Sequence, residues 1–172
     1  RSRQDQVAKI ERTNAHVEIK RILFQKWYLL SSIGYLSNTQ QALNSRYNFK
    51  IGVGRYLVSN NKLLWGLSLG ANYNNEDFED ATRSRESAEI FVSSNINIYN
   101  FQDVELIGRI DFYPSLTESG RQRTDFIFDA KYKLPLDFYV KAGYQFNYDN
   151  RSAILGSNFD YIFTTGFGWK FN

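Results

Sequence analysis

The chain of 172 residues contains no cysteine, no methionine, two prolines and a single histidine. Without cysteine there is no disulfide scaffold and no thiolate metal site, and the lack suits a chain that crosses an oxidising compartment unfolded. Without methionine the first residue is not an initiator, and Arg1 to Asp5 has nothing of a signal peptide, so the expectation is a mature or partly covered chain. No apolar run approaches the roughly 18 residues that a membrane helix requires, which excludes a helical membrane protein. Also missing are a Gly-rich phosphate loop opening a helix, a Cys or His metal cluster and a heptad repeat. No cofactor or metal is therefore expected. The net charge of +3 is spread over interspersed charges of both signs, which gives a nucleic-acid role no support.

What the chain does have is aromatic residues, 14 Phe, 12 Tyr and 3 Trp, at a mean hydropathy of −0.48. With few prolines to interrupt strands, that composition points to an all-β protein. The strand template finds about nine segments, at 6–22, 27–38, 44–58, 62–74, 84–99, 103–115, 122–134, 137–148 and 158–171. Their connections alternate in length. Phe24–Lys26, Ser59–Asn61, Asn100–Gln102 and Pro135–Leu136 are tight turns, whereas Thr39–Leu43, Asn75–Arg83, Thr117–Arg121 and Asp149–Ser157 are longer and more polar. Short turns alternating with long loops are the habit of an up-and-down outer-membrane barrel.

Within each segment the residues sort onto two faces. In the last one Phe159, Tyr161, Phe163, Thr165, Phe167, Trp169 and Phe171 oppose Asp160, Ile162, Thr164, Gly166, Gly168 and Lys170. A soluble barrel also alternates, with its apolar face inward. Three features favour the membrane form. Eight of the eleven glycines, at 34, 52, 54, 66, 70, 143, 166 and 168, fall on the polar face, where a narrow interior needs small side chains. Aromatics gather at segment ends, Trp27, Tyr56, Trp65, Tyr99 and Trp169 at the short-turn end and Tyr35, Tyr47, Tyr73, Tyr148 and Tyr161 at the long-loop end, as two interface belts. The segments are also longer than soluble strands usually are. The expectation is one domain over residues 1–172, an antiparallel up-and-down transmembrane β-barrel. The first and last segments run the same way, so an N-terminal strand is expected to be absent and the closed barrel to have ten or twelve.

Four stretches then stand out: Tyr35-Leu-Ser-Asn-Thr39, Tyr73-Asn-Asn-Glu-Asp-Phe78, Phe112-Tyr-Pro-Ser-Leu-Thr-Glu-Ser-Gly120 with Arg121 and Arg123, and Thr164-Thr-Gly-Phe-Gly168. Together they resemble the salt-induced outer-membrane protein family of YdiY-like barrels, a domain of unknown function, from the second segment to the end. The Tyr-Pro-Ser-Leu-Thr-Glu-Ser-Gly stretch is the specific part, and the Thr-Gly-Phe-Gly ending is generic to barrels. The resemblance implies the outer membrane of a Gram-negative bacterium and no established activity. Ending on Asn172 rather than on the aromatic Phe171 departs from the pattern of many such barrels.

The candidate site residues are inward charges. His16, Glu18, Arg46, Lys50, Glu89, Glu105, Arg109, Asp111, Asp125, Asp129, Lys131, Lys133, Lys141, Asp160 and Lys170 are of mixed sign, and a buried charge is tolerated only when partnered. The expected outcome is a charged, mostly packed interior, with a narrow pore for small solutes as the alternative. His16 beside Glu18 has the residue types for general-base work on a serine, as in an envelope lipid-modifying enzyme, but no strained Gly-x-Ser-x-Gly turn accompanies them. The acidic run Asn75–Asp80 lacks the spacing of a calcium loop, and with Arg83 and Arg85 nearby it reads as a self-compensated surface loop. Thr117–Arg123 reads as a polar tip turned by Gly120. The function expected is a non-enzymatic structural or accessory subunit of an outer-membrane complex. Its partners would be outer-membrane lipid and lipopolysaccharide, the barrel-assembly machinery during insertion, and a larger outer-membrane protein.

Overall fold

The computed structural model describes residues 11–39, 43–78, 84–101, 103–151 and 158–170. Among them nine strands form one sheet: β1 Arg12–Ile22, β2 Trp27–Asn38, β3 Leu43–Ser59, β4 Leu63–Phe78, β5 Ser84–Phe101, β6 Val104–Pro114, β7 Gln122–Lys133, β8 Phe138–Asp149 and β9 Phe159–Trp169. Each strand pairs antiparallel with the next in chain order, and β1 and β9 are the two edges. Nine antiparallel strands place β1 and β9 in the same direction, each running from the long-loop end to the short-turn end. The all-β, up-and-down architecture read from the sequence is the one found.

The sheet is curled into a half-barrel, because side chains on strands that are not neighbours touch. Lys50 on β3 reaches Tyr113 on β6, and Arg109 on β6 reaches Glu18 on β1. The residues that meet this way, with Tyr28, Leu30, Phe91 and Tyr113 buried among them, line the concave face. Most of the remaining apolar side chains face the other way. Leu67, Phe163 and Phe167 stand 41%, 66% and 68% exposed, while Lys50 is 2% exposed. Bulky carbon-rich side chains therefore look outward, and the period-two pattern of the sequence maps onto the two faces of one surface.

Gly52 and Gly70 face one another on β3 and β4, and the ring of Phe91 rests on their bare backbone. Tyr28 likewise lies over Gly54. Glycine on the concave side thus makes room for a few large inward rings.

Two of the short turns take unusual backbone. Phe24 accepts a hydrogen bond from the Trp27 amide at 2.8 Å, and the two central residues, Gln25 and Lys26, both have positive φ, 44° and 72°. This is the primed turn that matches strand twist, built without the Asn-Gly it favours. Left-handed backbone is disfavoured for a side-chain-bearing residue by roughly 1–2 kcal/mol. Lys26→Gly is expected to raise stability by about 0.5–1 kcal/mol, the relief being partly offset by glycine's freedom in the unfolded chain. A higher urea midpoint at unchanged slope is the readout.

Several strands outrun their expected limits. β4 continues to Phe78, so Asn75–Phe78 is strand and not the surface loop expected there; Glu79, Asp80 and Arg83 lie outside the described residues. Tyr56 and Tyr99 correct the aromatic belts. Tyr56 packs on Tyr28 with ring centroids 4.6 Å apart and belongs to the concave face, and Tyr99 accepts a hydrogen bond from the inward Asn97. Their parity with Gly54 and Asn97 turns both inward.

Candidate functional site

The concave face carries three groups of charges. At the long-loop end the chain leaves β6 at Pro114 and folds back along β5, which is longer than β6 and has backbone to spare there. Leu116 donates its amide to the Ala88 carbonyl at 2.8 Å, and the Ala88 amide donates to Thr117 Oγ1 at 3.1 Å. Gly120 then turns the chain with φ of 74°. The next residue, Arg121, is driven inward with its side chain fully buried. Its guanidinium lies 3.0 Å from Glu76 Oε1, 2.7 Å from Asp149 Oδ2 and 3.1 Å from Glu118 Oε1. Burial alone would lower the Arg121 pKa; the hydrogen bond to Asp149 and the charges of Glu76 and Asp149 outweigh it and raise the pKa above the ordinary arginine value. Arg46 Nε sits 2.9 Å from the same Glu76, and Arg85 bridges to Glu118.

One step deeper, Glu89 is surrounded by donors. Arg123 Nε and Nη2 donate to its two oxygens at 2.9 and 2.7 Å, while Asn72 Nδ2 and Asn74 Nδ2 donate to Oε2 at 2.9 and 2.8 Å. The bidentate fork is the strong form of a charge pair. In the middle of the face, Lys50 donates to Tyr113 at 2.6 Å between the rings of Phe91 and Tyr113. Arg109 joins Asp111 at 2.8 Å to Glu18 at 3.0 Å, and Lys20 meets Glu18 at 3.1 Å. His16 Nε2 is 3.9 Å from the same Glu18, whose oxygens are already committed to those cations. At the short-turn end Glu105 takes both Lys131 and Lys133, at 3.4 and 2.8 Å.

The inward charges read from the sequence divide among these groups. His16, Glu18, Arg109, Asp111 and Lys50 meet in the middle, Arg46 and Glu89 near the loop end, and Glu105, Lys131 and Lys133 at the turn end. Asp125 stands opposite Asp111 in register, Asp129 opposite Gly143, Lys141 opposite Lys131 and Asp160 opposite Asn147. Lys170, just past β9, ties its amide to the Asp137 carbonyl. Glu76, Asp149 and Tyr113 are network members that the sequence reading left out. Arg121 and Arg123 correct the polar-tip reading, being buried anchors. Carrying the parity of β4 past Asn72 to Asn74 and Glu76, and that of β7 back from Asp125 to Arg123, is the signal that finds Glu76 and Arg123. Among the described residues no three acidic or histidine side chains are grouped so as to hold a metal ion.

An up-and-down, barrel-like sheet with an apolar convex face and an ion-paired concave face defines the structural class. The chain matches, over residues 1–171, the family model described as protein of unknown function, DUF481, and it belongs to that family. No curated protein and no solved structure matches it.

Proposed function

We propose that the protein is a small β-barrel of a Gram-negative outer membrane, non-enzymatic, with an interior held shut at the loop end by its ion pairs. Its role is that of a structural or accessory envelope component. One observation carries the reading: the strands share one parity, with a carbon-rich convex face and a concave face that gathers the ion pairs around a few large rings, the arrangement that lipid outside and a polar interior require. An aqueous surface gives no reason to leave Ile33 and Leu69 on interior strands, and Ile19 and Phe167 on the two edge strands, more than half exposed. In hydrocarbon a sheet edge must be paired, so the reading also requires β1 and β9 to be closed in the membrane. Glu18, the partner a catalytic His16 would need, is engaged by Lys20 and Arg109, which supports a structural role for that pair.

Purified from membranes, the protein is expected to require detergent, to migrate differently on a denaturing gel before and after boiling, and to give no resolvable open level in a planar bilayer. Extraction into plain buffer would end the membrane reading. A stable conductance would replace the closed interior with a narrow pore.

A further inference from the structure

The concave face is not closed along its whole length. Between β6 and β9, in the short-turn half, a cavity of about 480 Å³ opens, within the size range of small-molecule sites. Its floor is bare backbone: where a Cβ would stand on Gly166 there is no atom within 4 Å. Lys131 and Lys141 face one another in register across β7 and β8. Both ammonium groups gather on one ring, 5.0 and 5.1 Å from the centroid of Tyr139.

Elsewhere on this face the buried arginines among the described residues have their carboxylates. Arg121 touches three, Arg123 is held by Glu89 and Arg46 by Glu76. Here the balance differs. Lys131 shares Glu105 with Lys133, and among the described residues Lys141 makes no ion pair. Like charges set directly opposite on paired strands destabilise the pair unless an anion lies between them. At the other side of the floor, Thr164 Oγ1 and Asp129 Oδ1 both overhang Gly143, 2.6 and 2.7 Å from where its Cβ would be. They offer acceptors, which an anionic head would avoid and a hydroxyl would seek.

The geometry points to a binding site for a phosphate-bearing polyol, its phosphate between Lys131 and Lys141 and its hydroxyls on Asp129 and Thr164. Two ammonium groups suit a phosphate, for which lysine serves as a point charge, and a phosphomonoester carries about −1.5 to −2 at neutral pH. A phosphate beside free hydroxyls occurs in a soluble sugar or glycerol phosphate and, as a singly charged diester, in a phosphatidylglycerol headgroup. The inference rests on the proposed barrel, since it takes the concave face to be the interior.

The test uses the full chain folded in an uncharged detergent. Calorimetric titration with glycerol 3-phosphate is one arm, and retention of phosphatidylglycerol over phosphatidylcholine from mixed nanodiscs, read by native mass spectrometry, is the other. Saturable binding in either arm is expected, weakened at least tenfold by Lys141→Gln and by Lys131→Gln and unchanged by Lys62→Gln on a distant turn. The arm that responds names the source. Binding in neither arm, or binding indifferent to Lys141→Gln, overturns the site. Gel migration of the unboiled sample is scored on the same preparations, so a failure of the barrel is told apart from a failure of the site.

Discussion

Glu89→Ala is expected to destabilise the folded protein by about 3–5 kcal/mol, the scale for breaking a buried ion pair from one side. The side chain is 1% exposed and accepts four hydrogen bonds, two from Arg123 and one each from Asn72 and Asn74. Removing it strands a guanidinium that is itself only 5% exposed, and leaves two inward amides without their acceptor. Each orphaned polar group adds its desolvation penalty of about 1–3 kcal/mol, though the terms overlap and do not sum. Replacing both partners, with Glu89→Leu and Arg123→Met together, leaves neither charge of this pair stranded and is expected to recover most of the loss. Equilibrium urea unfolding of the protein refolded into lipid vesicles, followed by tryptophan emission, measures both. A loss below about 1 kcal/mol for Glu89→Ala would place the pair among exposed ones, where water and salt already screen it.

The dependence on Glu89 explains what the sequence alone shows and what it hides. Period-two alternation locates all nine strands, and β2 is found at Trp27–Asn38 as read, because each apolar run has one face to satisfy. The reading fails where the outward face turns polar. Asn75 and Asp77 break the apolar stripe of β4, yet the ladder continues, since Tyr47 and Ser45 on β3 and Glu86 and Ser84 on β5 still pair with them. Backbone pairing outlasts the hydrophobic signal that announces it. Arg121 is hidden for another reason. It sits in a loop, and its carboxylate partners Glu76 and Asp149 are 45 and 28 residues away in the chain, so no local pattern connects them. Phe91 shows a third limit. A large ring on the polar parity looks like an error until Gly52 and Gly70, on two other strands, are seen to leave the space it fills.

The same glycines give the second large effect. Gly70→Ala is expected to cost about 1–3 kcal/mol, the range for overpacking a well-filled interior. Gly166→Ala is expected to stay within about 0.5 kcal/mol of the parent, as substitutions away from tight features do. Both glycines are on the concave face of a strand, and both substitutions add one methyl group, so composition and propensity cannot separate them. Space does. A methyl on Gly70 runs into the Ile51 carbonyl oxygen and the Gly52 Cα, and meets the Phe91 ring at 2.7 Å, whereas on Gly166 it meets nothing within 4 Å. The two nearest obstacles at Gly70 are backbone atoms, which cannot rotate away as a ring can. Trimming the ring with Phe91→Leu is therefore expected not to rescue Gly70→Ala in the same unfolding assay. If it does rescue, side-chain crowding rather than close strand approach sets the requirement for glycine there, and β3 and β4 have more freedom to separate than their register implies.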